Sequence, residues 1–215
     1  MKQLLLLLFF FTFLKAAQSQ TKLNTDTLKV YEFSVSEYPQ KVKLVEFQNK
    51  SYKGLITTPF YQGRFTNNGF FKRLWKNIWN NQPTGKIIDS IEISPRLTMN
   101  LMNELKLEGI ETIKDCEDDK DCNDRYFLDG SSVSFKISTD SLKRSYGFKE
   151  IHPNNSNNTE NTELRNQAQK LVTTIYESLN FKYQFEQSKE RLPKGYYFYI
   201  RSGNSFIEFY SRKGK

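Results

Sequence analysis

SVSFKISTDSLKRSYGFK, residues 132–149, decides the fold class of this chain. Val133, Phe135 and Ile137 alternate with Ser134, Lys136 and Ser138, the period-two pattern of a strand with one buried face and one wet face. Thr139-Asp140-Ser141 supplies turn residues. Arg144, Tyr146 and Phe148 restore the alternation on the way back. The stretch therefore reads as an antiparallel hairpin, entered through the turn residues Leu128-Asp129-Gly130.

Two further hairpins flank it. From Leu28 the chain is strand-like, with Lys29, Tyr31, Phe33 and Val35 on one parity. After Pro39, Val42 and Leu44 share a parity. Gln48-Asn49-Lys50 reads as a turn, and Tyr52 to Phe60 as the returning strand. At the C-terminal end, Tyr196 to Arg201 and Phe206 to Ser211 are separated by Ser202-Gly203-Asn204. Lys86 to Ile93 is one more strand, through Ile87, Ile91 and Ile93.

Helices are marked by their ends. Ser94-Pro95 is an N-cap followed by proline at the first helical position. Leu97, Leu101 and Leu105 then recur every four residues until Gly109, which predicts a helix over 95–108. Leu164, Ala168, Leu171, Ile175 and Leu179 give a second helix behind Asn161 or Thr162. Phe71, Leu74, Trp75, Ile78 and Trp79 form a third, short stripe. Hairpins and helices without regular strand–helix–strand alternation predict an α+β fold. It should have a mainly antiparallel sheet with two to three helices packed on it.

The N-terminus reads differently. Lys2 precedes an apolar run from Leu4 to Leu14, eleven residues and too short to span a bilayer. Ala17-Gln18-Ser19 puts small residues where a signal peptidase reads. Residues 1–19 are therefore expected to be a signal peptide, 20–27 a flexible lead-in and 28–215 one α+β domain. Removing Lys2 and Lys15 takes the basic residues from 32 to 30 against 24 acidic ones, a net charge of +6. The chain is then exported, periplasmic or secreted, with no transmembrane span. Asn49, Asn154 and Asn157 stand in glycosylation sequons, which matter only in a eukaryotic secretory pathway.

In that compartment Cys116 and Cys122 are expected to pair as a disulfide. Their acidic neighbours disfavour a thiolate, which argues against a redox pair. Asp115, Glu117, Asp118, Asp119, Asp121 and Asp124 surround Lys120, −5 over ten residues, and leave +11 for the rest of the mature chain. Asp119, Asp121 and Asn123 reproduce the start of a calcium loop. However, Asp124 stands in place of its glycine and Gly130 in place of its bidentate glutamate, so no metal site is favoured and a solvated acidic loop is expected.

The composition excludes other chemistry. One histidine and two cysteines rule out His-cluster and four-thiolate metal sites. There is no nucleophile elbow or phosphate-binding glycine loop, and His152 has no partner that sequence can name. The likeness of 144–151 to an RNA-binding strand motif fails at Ser145, Lys149 and Ile151, so nucleic acid is not an expected partner. No cofactor is implied. What is left is a non-enzymatic binding domain for an unidentified protein or extracellular ligand. It would use an aromatic surface (Trp75, Trp79, Tyr197, Tyr199) and the disulfide-pinned acidic loop. Two alternatives stand beside it. One is a secreted or periplasmic hydrolase working with carboxylates, for which Glu92, Glu104 and Glu150 are undistinguished candidates. The other is peripheral attachment to an anionic membrane through residues 70–79.

Overall fold

The computed structural model describes residues 27–35, 37–63, 85–122, 132–154, 160–200 and 207–212. Within them the chain forms an α+β fold. Its strands are β1 (Thr27–Ser34), β2 (Lys41–Phe47), β3 (Tyr52–Gly63), β4 (Lys86–Ile93), β5 (Ser132–Thr139), β6 (Lys143–Lys149), β7 (Gly195–Ile200) and β8 (Ile207–Arg212). Its helices are α1 (Pro95–Leu107), α2 (Glu163–Ser178) and α3 (Phe181–Arg191). All eight strands join one antiparallel sheet in the order β6-β5-β1-β2-β3-β7-β8, with β4 on the other edge of β3.

β3 is the spine. Its first half pairs with β2 up to Thr57, and its end pairs with β7 from Tyr61. Between these lies Pro59. The Gln62 amide donates to Gly85 O on the β4 side, so even positions of β3 address β4 and odd positions address the other edge. Pro59 is odd and sits where β2 has ended and β7 has not begun, so its missing N–H leaves no ladder bond unmade.

The hairpin expected at 132–149 forms, with Val133 opposite Phe148 and Phe135 opposite Tyr146. Its apolar parity continues across the sheet through Tyr31, Phe33, Val42, Leu44 and Ile56, all buried. The helices cover this inner face. α1 starts as its sequence demands, with the Leu97 amide donating to Ser94 Oγ and proline next to the cap. It can lie close to β3 because position 54 is glycine: a Cβ there would fall 2.4 Å from Thr98 Oγ1 and 2.8 Å from Ile93 Cβ. Gly109, at φ +91, ends the helix in a conformation that favours glycine. α2 is capped by Thr162, whose Oγ1 accepts from the Arg165 amide, and buries Leu164, Ala168, Leu171 and Ile175.

α3 has no counterpart in the sequence expectations. It begins at Asn180, whose side chain accepts from the Tyr183 amide. Phe185 stacks on Phe60 and meets Tyr199 edge-on, at centroid distances of 5.9 and 4.8 Å. This makes a second, aromatic core of Phe60, Phe185, Leu192, Tyr197 and Tyr199 under the β7 end of the sheet.

Candidate functional site

The expected aromatic display is corrected by this second core. Tyr197 and Tyr199 are 1% and 7% exposed and packed inward, so they cannot meet a partner directly. The Tyr197 hydroxyl donates to Pro193 O, and that of Tyr199 is hydrogen-bonded to Glu208. The sequence showed aromatics on both parities of β7. What it did not show is that α3 covers one face. Trp75, Trp79 and the stripe at 70–79 lie outside the described residues, as do residues 1–26.

Cys116 and Cys122 form a disulfide, with Cα atoms 5.2 Å apart and both side chains in the main core. The acidic turn that they close carries Glu117, Asp118 and Asp121 exposed. The Asp121 amide donates to Asp119 Oδ1, so that carboxylate is occupied in shaping the turn. Among the described residues no group of three or more His, Cys, Asp or Glu side chains could hold a metal ion; Asn123 and Asp124 lie outside them. The turn belongs to the helix side of the sheet. The residues before it are held there by Arg144, which donates to Glu111 O and Ile113 O, and by Tyr146, which donates to Ile110 O.

The carboxylates singled out in the sequence do not converge. Glu92 is exposed on the face of β4 away from the helices, whereas Glu104 is on α1. Glu150 follows β6 and lies 3.3 Å from His152 Nε2, while Glu37 lies 3.8 Å from Nδ1. The histidine therefore sits between two carboxylates. Glu111 is used structurally: it pairs with Lys29 and accepts from Tyr31. Burial works against its ionisation, but these two donors hold its carboxyl below the usual range.

Sequence reasoning did not single out Glu108. It lines a cleft of about 670 Å³ between the end of α1 and the start of α2, together with Glu163, Asn166, Gln167 and Lys170. Its Oε1 accepts from Thr174 Oγ1 at 2.5 Å, while Oε2 is buried without a hydrogen-bond partner among the described residues. Burial raises its pKa, outweighing the opposing Thr174 hydrogen bond.

The other feature missed is the face of the sheet on which no helix packs among the described residues. Opposite each buried residue the strand parity puts a side chain outward, and on this face lysines dominate. Lys41 and Lys43 come from β2, Lys53 from β3 and Lys86 from β4. Lys136 comes from β5, and Lys143 and Lys149 from β6. All are exposed. Among the described residues only Glu32 and Glu92 oppose them, which leaves a net +5 (seven minus two) there. In register order, Leu55, Lys43, Glu32, Lys136 and Ser145 make one row across β3, β2, β1, β5 and β6. Thr57, Lys41, Ser34, Ser134 and Gly147 make the next. The small residues of the second row leave a trough of about 420 Å³ lined by both rows. Ser34 Oγ and Ser134 Oγ share a hydrogen bond of 2.7 Å on its floor. Glu32 engages Lys43 at 2.9 Å, while neither Lys41 nor Lys136 is paired with a carboxylate among the described residues.

Among known protein families, characterised proteins and solved structures, none matches this chain. Fold and surface together define its class: an α+β fold with a helix-covered inner sheet face and, among the described residues, a lysine-rich outer face.

Proposed function

We propose that the chain is an exported, non-enzymatic binding domain that takes an anionic partner on the face of its sheet opposite the three described helices. The observation that carries this reading is the partition of charge by strand parity: among the described residues, seven exposed lysines against two glutamates on one face. A sheet face needs no such bias to be soluble, since mixed charges serve that purpose equally well. A single-sign field recruits ligands of the opposite sign and raises their rate of encounter. Export is supported by the leader-like N-terminus, by the Cys116–Cys122 disulfide, and by the absence of a helix long and apolar enough to cross a membrane among the described residues.

Retention on immobilised dextran sulfate tests the reading. Wild-type protein should bind at low salt and elute as ionic strength rises. The double variant K43E/K136E should lose retention. K106E/K182E, two exposed charge reversals of the same total charge on α1 and α3 at the helix side, should keep most of it. Equal behaviour of the two variants would show simple ion exchange by a basic protein and reject the face as a site.

One observation favours a second reading, a carboxylate hydrolase: Glu108, whose pKa is raised, shares a cleft with Glu163. Turnover of aryl glycosides that is abolished in both E108Q and E163Q would replace the binding reading with that one.

A further inference from the structure

We propose that the occupant of the lysine face is a single extended chain of acidic polysaccharide, lying in the trough across β3, β2, β1, β5 and β6. This rests on the anionic-partner reading and names the ligand. The direction follows from the rows: the trough runs perpendicular to the strands, because its floor residues are register partners on successive strands. Five strands at about 4.8 Å spacing give it a length of ~19 Å. A groove of that form suits a linear polymer better than a globular surface.

The chemistry of the lining selects the polymer. Hydroxyls on the floor (Thr57, Ser34, Ser134) can exchange hydrogen bonds with sugar hydroxyls. Lys41 and Lys136 are unpaired point charges on flexible stems, suited to carboxylate or sulfate groups at variable positions along a sugar chain. Nucleic acid fits poorly, because single strands are held by stacking on aromatics and arginine planes, whereas the two aromatics at the trough, Phe33 and Phe135, are buried and no arginine lines it. An anionic bilayer fits poorly because Leu55, the one large apolar side chain of the two rows, is half-buried and does not stand out to enter it. An acidic peptide would need its backbone satisfied, and the strand N–H and C=O groups at the trough are spent on neighbouring strands.

Glu32 is the internal regulator of this site. It stands between Lys43 and Lys136 in the same row and holds Lys43 at 2.9 Å. A bound carboxylate or sulfate must compete with it.

The test is titration calorimetry of the full mature protein with polyuronate oligosaccharides of increasing length. Alongside them run poly-aspartate, single-stranded DNA and phosphatidylglycerol vesicles at equal charge concentration. The inference expects affinity to climb with oligosaccharide length until the ~19 Å trough is filled and then to level off. It expects E32Q to tighten binding about threefold to tenfold, and K43E/K136E to abolish it. If affinity follows charge alone, with all four polyanions equivalent, the trough assignment is wrong while the lysine face survives as a general anion site. Preference for poly-aspartate, DNA or vesicles transfers the site to that partner and overturns the polysaccharide. Undiminished binding by K43E/K136E defeats this inference and the reading beneath it together.

Discussion

Reducing the Cys116–Cys122 bond is the most informative perturbation of stability. The two cysteines are six positions apart, and the loop-closure model assigns a ring of that size roughly 2–3 kcal/mol. Packing adds little to this figure on chemical reduction, because both sulfurs remain in the core where they already sit. In a chain of this length each kcal/mol moves the melting temperature by roughly 2–4 °C, so full reduction should lower it by about 5–10 °C. Circular dichroism melts with and without a phosphine reductant measure the change, and intact mass after alkylation confirms that the bond was open. The variant C116A/C122A should fall further, because it also empties two buried sites. The loosened part should be local. Residues 110–113 are tied to Arg144 and Tyr146 independently of the sulfurs, so amide exchange should rise in 115–121 and stay low in β5 and β6. A shift under about 2 °C on complete reduction would refute the entropic assignment. A uniform rise in exchange would refute the local one.

Other consequences follow from single contacts. Gly54→Ala should destabilise the protein by about 1–3 kcal/mol in urea denaturation, because the new methyl meets Thr98 Oγ1 and Ile93 Cβ inside contact distance and α1 must lift from β3. The two carboxylates with shifted pKa should respond to pH with opposite signs. Glu111 is depressed by Lys29 and Tyr31, so its contribution is present above the unfolded carboxylate range and lost as pH falls through its lower folded value. E111Q should therefore destabilise at pH 7 and converge with wild type in acid. Glu108 is raised by burial, so ionising it opposes folding: E108Q should melt higher than wild type at pH 8, and the gain should disappear on acidification. Melting curves of both variants from pH 3 to pH 8 check the pair.

The elements that were legible in the sequence are those whose signals are local. The 132–149 hairpin carries its alternation on both strands, and α1 and α2 carry caps at their starts and aliphatic spacing behind them. α3 was not legible because its apolar content is concentrated in Phe181 and Phe185 amid charged residues; it is a helix because those rings dock on Tyr38 and Phe60. The inward placement of Tyr197 and Tyr199 follows from the same docking. Strand order was equally out of reach. β1 pairs with β5, more than 100 residues away in sequence, and β3 bends its pairing from β2 to β7. Neither partner is written in local periodicity. The lysine face shared that fate. Lys41 and Lys43 are visible as outward residues of one strand, but Lys136 joins their rows only once β1 is known to lie between β2 and β5.

That ordering also separates the two strongly charged features of the chain. The acidic turn at 115–121 hangs from the inner side of β6 through the segment that Arg144 and Tyr146 hold, whereas the lysines stand on the outer face. The sheet between them is filled with buried aliphatic and aromatic side chains, and it is this separation in space, with solvent screening at each surface, that keeps the two charge groups distinct. Beyond the first Debye length the domain presents a net positive charge, and closer in it presents a polarity. On the proposed reading, a polyanion drifting toward it is turned toward the lysine face and away from the turn before contact is made. By closing the acidic turn, the disulfide limits how far its carboxylates range from the segment that Arg144 and Tyr146 hold on the helix side. Reduction should therefore weaken polyanion association chiefly at low ionic strength and chiefly in the association rate, leaving the dissociation rate close to that of the oxidised protein. Stopped-flow binding with and without reductant, at two salt concentrations, would separate that electrostatic effect from any loss of fold, which would instead speed dissociation at both.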